Sequence, residues 1–249
     1  MAQPIEDPTD DLLACAERVA RLRPHEGASG AWDVVLGHGH LQMRLREGQR
    51  LAAMPDEQLL QCGAALENLR LALRYFGYAE TARIAPDGDD APTVARIDLT
   101  GARSTSPEDE FLYQALLPDA HTAGSQDGGL SPALIGLLRH AARCEGAWLE
   151  PVGGDLRFQR SPLHAVIGTP GAASADWIRA GEALQRVRLH ASLQGFRVSV
   201  VSTSPPPTAS RTGPASIPAT RGEPKVVARF DVSPKTVPGW RHTRAACAR

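Results

Sequence analysis

Lysine is nearly missing from this chain. Lys225 and Lys235 are the only two, and arginine carries the rest of the positive charge. With its abundant alanine, this usage reads as the codon bias of a GC-rich bacterial genome. Cysteine is sparse and scattered: Cys15, Cys62, Cys144 and Cys247 form no CxxC pair, and no Cys/His run has metal-ligand spacing. Reduced, mostly buried thiols are expected, as in a cytoplasmic protein. No apolar stretch approaches the roughly 20 residues of a membrane span. The first residues are acidic (Glu6, Asp7, Asp10, Asp11), with no basic start before an apolar run, so they do not read as a signal peptide. A formal net charge of -1 gives no basic footprint for nucleic acid or an anionic membrane. No GxGxxG follows a strand, and neither a P-loop nor a GxSxG elbow occurs.

What is present is the ordinary balance of a globular protein: 249 residues, 42% hydrophobic and 22% charged. Apolar positions at helical spacing predict helices over 10–22, 56–76, 111–116, 131–143 and 174–193, the second being the strongest. Trp32–Leu36 and Leu41–Leu45 flank Gly37-His38-Gly39-His40 and predict a β-hairpin. Further strands are expected at 94–99, 147–152, 165–168, 196–201 and 226–230. Residues 202–224 are rich in Ser, Thr and Pro and read as a loop, and a basic tail runs to Arg249. Glu108-Asp109-Glu110 fit a helix start, where acids favour the dipole. His38 and His40 fit an exposed turn, two histidines without a third ligand being weak evidence for metal, so no metal site is expected.

Two helices resemble each other beyond their periodicity. Gly63-Ala64-Ala65-Leu66 leads through Arg70-Leu71 to Gly77-Tyr78, and Gly181-Glu182-Ala183-Leu184 leads through Arg188-Leu189 to Gly195-Phe196. Small residues recur along with the apolar ones, and β-type sequence follows each copy. This predicts an internal duplication whose two helices pack together across a pseudo-twofold axis, as in a fused dimer. Cofactors often sit at such interfaces.

At these residues a family resemblance emerges. Cys62-Gly63-Ala64-Ala65-Leu66-x-Asn68-Leu69-Arg70 with Gly77-Tyr78 resembles the first-half helix of the double-domain, Acg-like branch of the nitroreductase superfamily. Arg160-Ser161-Pro162-Leu163, Gly168-Thr169-Pro170-Gly171 and Asp176-Trp177-Ile178-Arg179-Ala180-Gly181 resemble it more specifically, and Gly222-Glu223-Pro224-x-Val226-Val227-x-Arg229 resembles its closing strand. The resemblance implies an α+β fold, with a mixed, largely antiparallel sheet flanked by helices, in two pseudo-symmetric halves. Residues 1–100 would form a first, degenerate half and 101–249 a second. It implies FMN at the interface of two halves or subunits, NAD(P)H as reductant and a small-molecule electron acceptor. The chain would act as a monomer (a fused pseudo-dimer) or as a homodimer.

A buried phosphate dianion needs arginines or free backbone N–H groups. The family places arginines in a loop that here reads His121-Thr122-Ala123-Gly124-Ser125-Gln126-Asp127, keeping the His-Thr pair but neither arginine. Of a first-half His-Asn-Thr-Gln-Pro-Trp run, only Trp32 is kept. The candidate cofactor contacts are therefore His121, Thr122, Ser125 and Gln126, with Arg241 and Arg244 of the tail near the phosphate; no catalytic residue is assigned. Three functions stay open: an FMN-dependent oxidoreductase with reduced or lost activity, a flavin- or small-ligand-holding protein, and an inactive pseudoenzyme serving as a structural or regulatory partner.

Overall fold

A computed structural model describes Ala14 and residues 17–22, 32–117, 130–152, 163–203 and 222–232. The fold is α+β, with two four-stranded antiparallel sheets flanked by helices. The first sheet contains β1 (Trp32–Gly37), β2 (His40–Leu45), β3 (Tyr78–Ile84) and β4 (Thr93–Ala102), in the order β1-β2-β4-β3. The second contains β5 (Trp148–Val152), β6 (Leu163–Thr169), β7 (Phe196–Ser202) and β8 (Glu223–Val232), in the order β5-β6-β8-β7. A 20-residue helix joins the second and third strands of each sheet: α1 (Asp56–Tyr75) in the first, and, in the second, its counterpart at Ser174–Leu193. Every residue of one helix lies 118 positions from its counterpart in the other. The duplication seen in the sequence is therefore a duplicated ββαββ topology.

Two shorter helices complete the described elements. Pro107–Leu116 (α2) follows β4, and Pro132–Cys144 (α3) precedes β5, so Ser174–Leu193 is α4. The α2 start uses a capping box: the Ser106 side chain accepts from the Asp109 N–H at 3.1 Å, and Asp109 reaches back to Ser106. The acidic run 108–110 thus forms its first turn, as expected for a helix start. Both long helices end at glycines in the left-handed region, Gly77 (φ 87°) and Gly195 (φ 78°), where a Cβ would be strained.

The hairpin registers Leu36 against Leu41 and Trp32 against Leu45. Leu41, Met43 and Leu45 alternate inward beneath it. His38 lies in its turn, and His40 at the start of β2 can donate from Nδ1 to the His38 carbonyl at 3.0 Å. Strand β3 is the element the sequence reading left without bounds. It is an edge strand of mixed Glu, Thr and Arg with no buried residue, so its hydrophobic alternation is weak and its position comes from pairing with β4. The expected 202–224 loop is also shorter at both ends, because Ser202 closes β7 and Glu223 opens β8. Residues 204–221 lie outside the described residues, as do parts of the expected first helix, of which Ala14 and Glu17–Ala20 are helical.

Each sheet has its own core. Leu66, Leu69, Leu73, Met43, Ile97 and Leu112 belong to the first, which also takes in α2. Leu138, Ala142, Ile167, Leu184, Phe196 and Phe230 belong to the second. The two meet along α1 and α4, where the interhelical contacts are reciprocal. A Cβ on Gly63 would collide with the Ile178 carbonyl oxygen, and one on Gly181 with the Leu60 carbonyl oxygen. Leu60 and Ile178 are themselves counterparts, so this is the signature of a twofold contact within one chain.

Candidate functional site

The helix crossing is continued by polar contacts that began as equivalents. Gln185 donates to the Asn68 side-chain oxygen at 2.8 Å, and the reciprocal pair is Arg186 with Glu67 at 3.3 Å. One side of the axis has become an amide pair and the other an ion pair. Around the ion pair grows a buried charge network. Arg70 bonds Glu145 and Glu182, each at 2.8 Å, and Glu80 at 3.1 Å. Arg74 bonds Glu67 at 3.0 Å and Glu80 and Asp109 at 3.1 Å. Arg186 also reaches Glu145 at 3.1 Å and the half-exposed Glu108 at 3.0 Å, and Arg103 closes on Asp109 at 2.6 Å. The network ties α1, β3 and α2, which share the first core, to α4 and to Glu145 just after α3.

The ionisation states follow the burial and the charges. Burial alone would pull Arg70 down, but Glu182, Glu67, Glu80 and Glu145 hold it above its ordinary value. Burial acts upward on Asp109, and the Ser106 hydrogen bond with Arg74 and Arg103 outweighs it, leaving the carboxyl below its usual range. Burial raises Glu145, and it pushes Glu182 up to about 8 against the pull of Arg70. Oxygens of Glu67, Glu145 and Glu182 lie within 4.8 Å of one another, a spacing compatible with a metal. Arg70, Arg74 and Arg186 already occupy oxygens of these carboxylates, so the donor set does not suit a cation.

Beside this seam lies a cleft of about 500 Å³, lined by Glu57, Leu60 and Gln61 of α1 and by Val200, Val201, Ser202 and Thr203 at the end of β7. Both halves therefore wall it, and Leu60 belongs also to the glycine crossing. Its volume is in the range of small-ligand pockets. Gln61, Ser202 and Thr203 are residue types that hydrogen-bond a heterocycle edge. The described lining does not suit a phosphate, because Glu57 is anionic and no basic side chain lines the cleft among the described residues. Lys225 is buried with its ammonium 4.5 Å from the Trp177 ring centroid.

The sequence-derived candidates His121, Thr122, Ser125, Gln126, Arg241 and Arg244 all lie outside the described residues. The sequence reading missed the charge network. Its signal was present, since Glu67 and Glu182 are acids on helices that are otherwise small and apolar at the crossing. Sequence alone does not show that both face inward.

No protein-family profile and no curated protein matches this chain. Among solved structures, the chain is similar to one titled "putative nitroreductase" from Thermotoga maritima, with 11% identity and a TM-score of 0.47, over 94% of this chain and 89% of that one. Among the described residues, no helix is long and apolar enough to cross a membrane.

Proposed function

We propose that this chain is an FMN-binding, nitroreductase-like oxidoreductase of the NAD(P)H-linked type, built as a fused pseudo-dimer, with reduced or lost activity. The observation that carries the reading is the cleft walled jointly by α1 and β7 beside the reciprocal Gly63/Gly181 crossing. It coincides with the place where the sequence resemblance puts a flavin, between two halves. A bound flavin would supply the redox chemistry, and the protein would supply contacts and an open face. Gln61, Ser202 and Thr203 would meet the ring, while His121, Thr122, Ser125 and Gln126 with Arg241 and Arg244 would supply the polar and cationic contacts that the described lining lacks. The division into halves belongs to the same proposal. What supports a seam somewhat beyond residue 100 is that α2 packs into the first core.

A second reading is favoured by a specific observation: the cleft is anionic at Glu57, and the arginines of the seam are already bound to carboxylates. It makes the chain a ligand-holding protein without turnover, or an inactive structural or regulatory partner. The visible spectrum of the purified protein separates these readings. Yellow protein that bleaches with NADPH is expected for the first, and its FMN affinity should fall at least tenfold on replacing Arg241 and Arg244 with Ala. Yellow protein inert to NADPH supports a holding role. Colourless protein that takes up no added FMN removes the flavin altogether.

A further inference from the structure

We propose that the seam between the two halves stores one proton, shared between the carboxyls of Glu145 and Glu182, and that losing it weakens the clasp between the halves. The inference is independent of the flavin and rests on the charge count and the hydrogen-bond count of the network. Five carboxyls with side chains no more than 7% exposed (Glu67, Glu80, Glu145, Glu182 and Asp109) face four guanidiniums (Arg70, Arg74, Arg103 and Arg186). One negative charge is left over in a place where an uncompensated charge is costly. Counting Glu108 at the solvent edge makes the acid excess larger.

The hydrogen bonds lean the same way, with two unmet acceptors in the seam against one unmet donor, Arg186 Nε. Glu67 is wholly buried, and its Oε1 accepts from Arg74 and Arg186. Its Oε2 has no hydrogen-bond donor, and Gln185 Oε1 in the same seam has none either. A proton on Glu182 or Glu145 would put an O–H donor into the same cluster, whose carboxyl oxygens lie within 4.8 Å of one another. Pseudo-symmetry offers no compensation, because the counterpart of Glu182 in α1 is Ala64.

The groups facing Glu182 come from several elements. Glu67, Arg70 and Arg74 come from α1, Glu80 from β3, Glu108 and Asp109 from α2, and Glu145 from the end of α3. Arg186 and His190 come from α4 itself, with His190 3.5 Å from Glu108 at the rim. The second sheet meets α4 through Ala183, Leu184 and Val187 of the apolar core. Burial raises the Glu182 carboxyl from 4.5 to about 8, Arg70 opposes the rise, and Glu145 and Glu67 add to it.

The sign of the linkage follows. Between about 4.5 and about 8 the folded chain holds a proton that the unfolded chain has released, so stability falls as pH rises through that window. Below it both states are protonated at this site, and above it neither is. Urea unfolding of the full chain between pH 5 and 9, for wild type and Glu182→Gln, tests this. Each pH unit inside the window should raise the wild-type unfolding constant about tenfold relative to the variant, the size of a one-proton linkage. Infrared spectra of wild type in D2O should carry a protonated-carboxyl band at neutral pH that disappears as the protein is titrated through about pH 8. This second measurement needs no variant to fold. Equal pH slopes for the two proteins, or no such band in wild type at neutral pH, overturn the proposal.

Discussion

Two of the cysteines have opposite chemistry although their composition is the same. Cys62 is buried at the start of the α1 seam, and burial pushes its thiol up to about 12, so thiolate is scarce at neutral pH. Cys144 is exposed at the end of α3, its sulfur 3.6 Å from His140 Nε2. Native protein treated with a thiol reagent at pH 8 should therefore label Cys144 within minutes, and Cys62 only after unfolding. Peptide mass spectrometry, which keeps these two apart from Cys15 and Cys247, reads the result. Rapid labelling of Cys62 in native protein would contradict its placement. Among the described residues, the expectation of buried thiols holds for Cys62 and fails for Cys144. Cys144 sits at i+4 from His140 on a helix, and no pattern in the chain says that this face of the helix turns to solvent.

At the level of elements, the glycine crossing makes a prediction whose sign discriminates. On helix propensity alone, Gly63→Ala or Gly181→Ala would stabilise by about 1 kcal/mol. Packing points the other way, since either Cβ collides with a carbonyl oxygen of the opposing helix, and the Gly181 Cβ would also lie 2.9 Å from Gly63 Cα. Backbone cannot move aside as a side-chain end can, so each substitution should destabilise by about 2 kcal/mol or more, measured by urea denaturation. The long helices with their mutual likeness, the hairpin and α3 were legible in the sequence, because amphipathic periodicity and Gly stops are local signals. Strand β3 was not, because an edge strand with no buried residue carries little periodicity. The start of α2 was legible in the acids 108–110, but apolar spacing alone placed the helix only from residue 111, because its first turn and its cap, Ser106 with Asp109, are polar.

For the molecule as a whole, the two cores are joined by a helix crossing and by buried ion pairs, each of which needs both halves. Separated fragments 1–124 and 125–249 would break the Arg70–Glu145, Arg70–Glu182, Arg186–Glu67 and Arg186–Glu108 pairs, and breaking a buried ion pair by removing one partner costs about 3–5 kcal/mol. Neither fragment should fold alone, while the co-expressed pair should give one complex with native far-UV circular dichroism and a single unfolding transition. Independent folding of either fragment would mean that the seam is a secondary contact. The candidate cofactor loop and the basic tail were chosen from a sequence resemblance, and they lie outside the described residues, so their role is for the spectrum to decide. By itself, the sequence determined the position of the long helices and the duplication, because these depend on periodicity and on matching residues; the class of fold followed from the family resemblance. Only the tertiary structure decided that Glu67, Arg70, Arg74, Glu145, Glu182 and Arg186 converge. They are spread over more than a hundred residues, and what unites them is the helix crossing that two glycines allow.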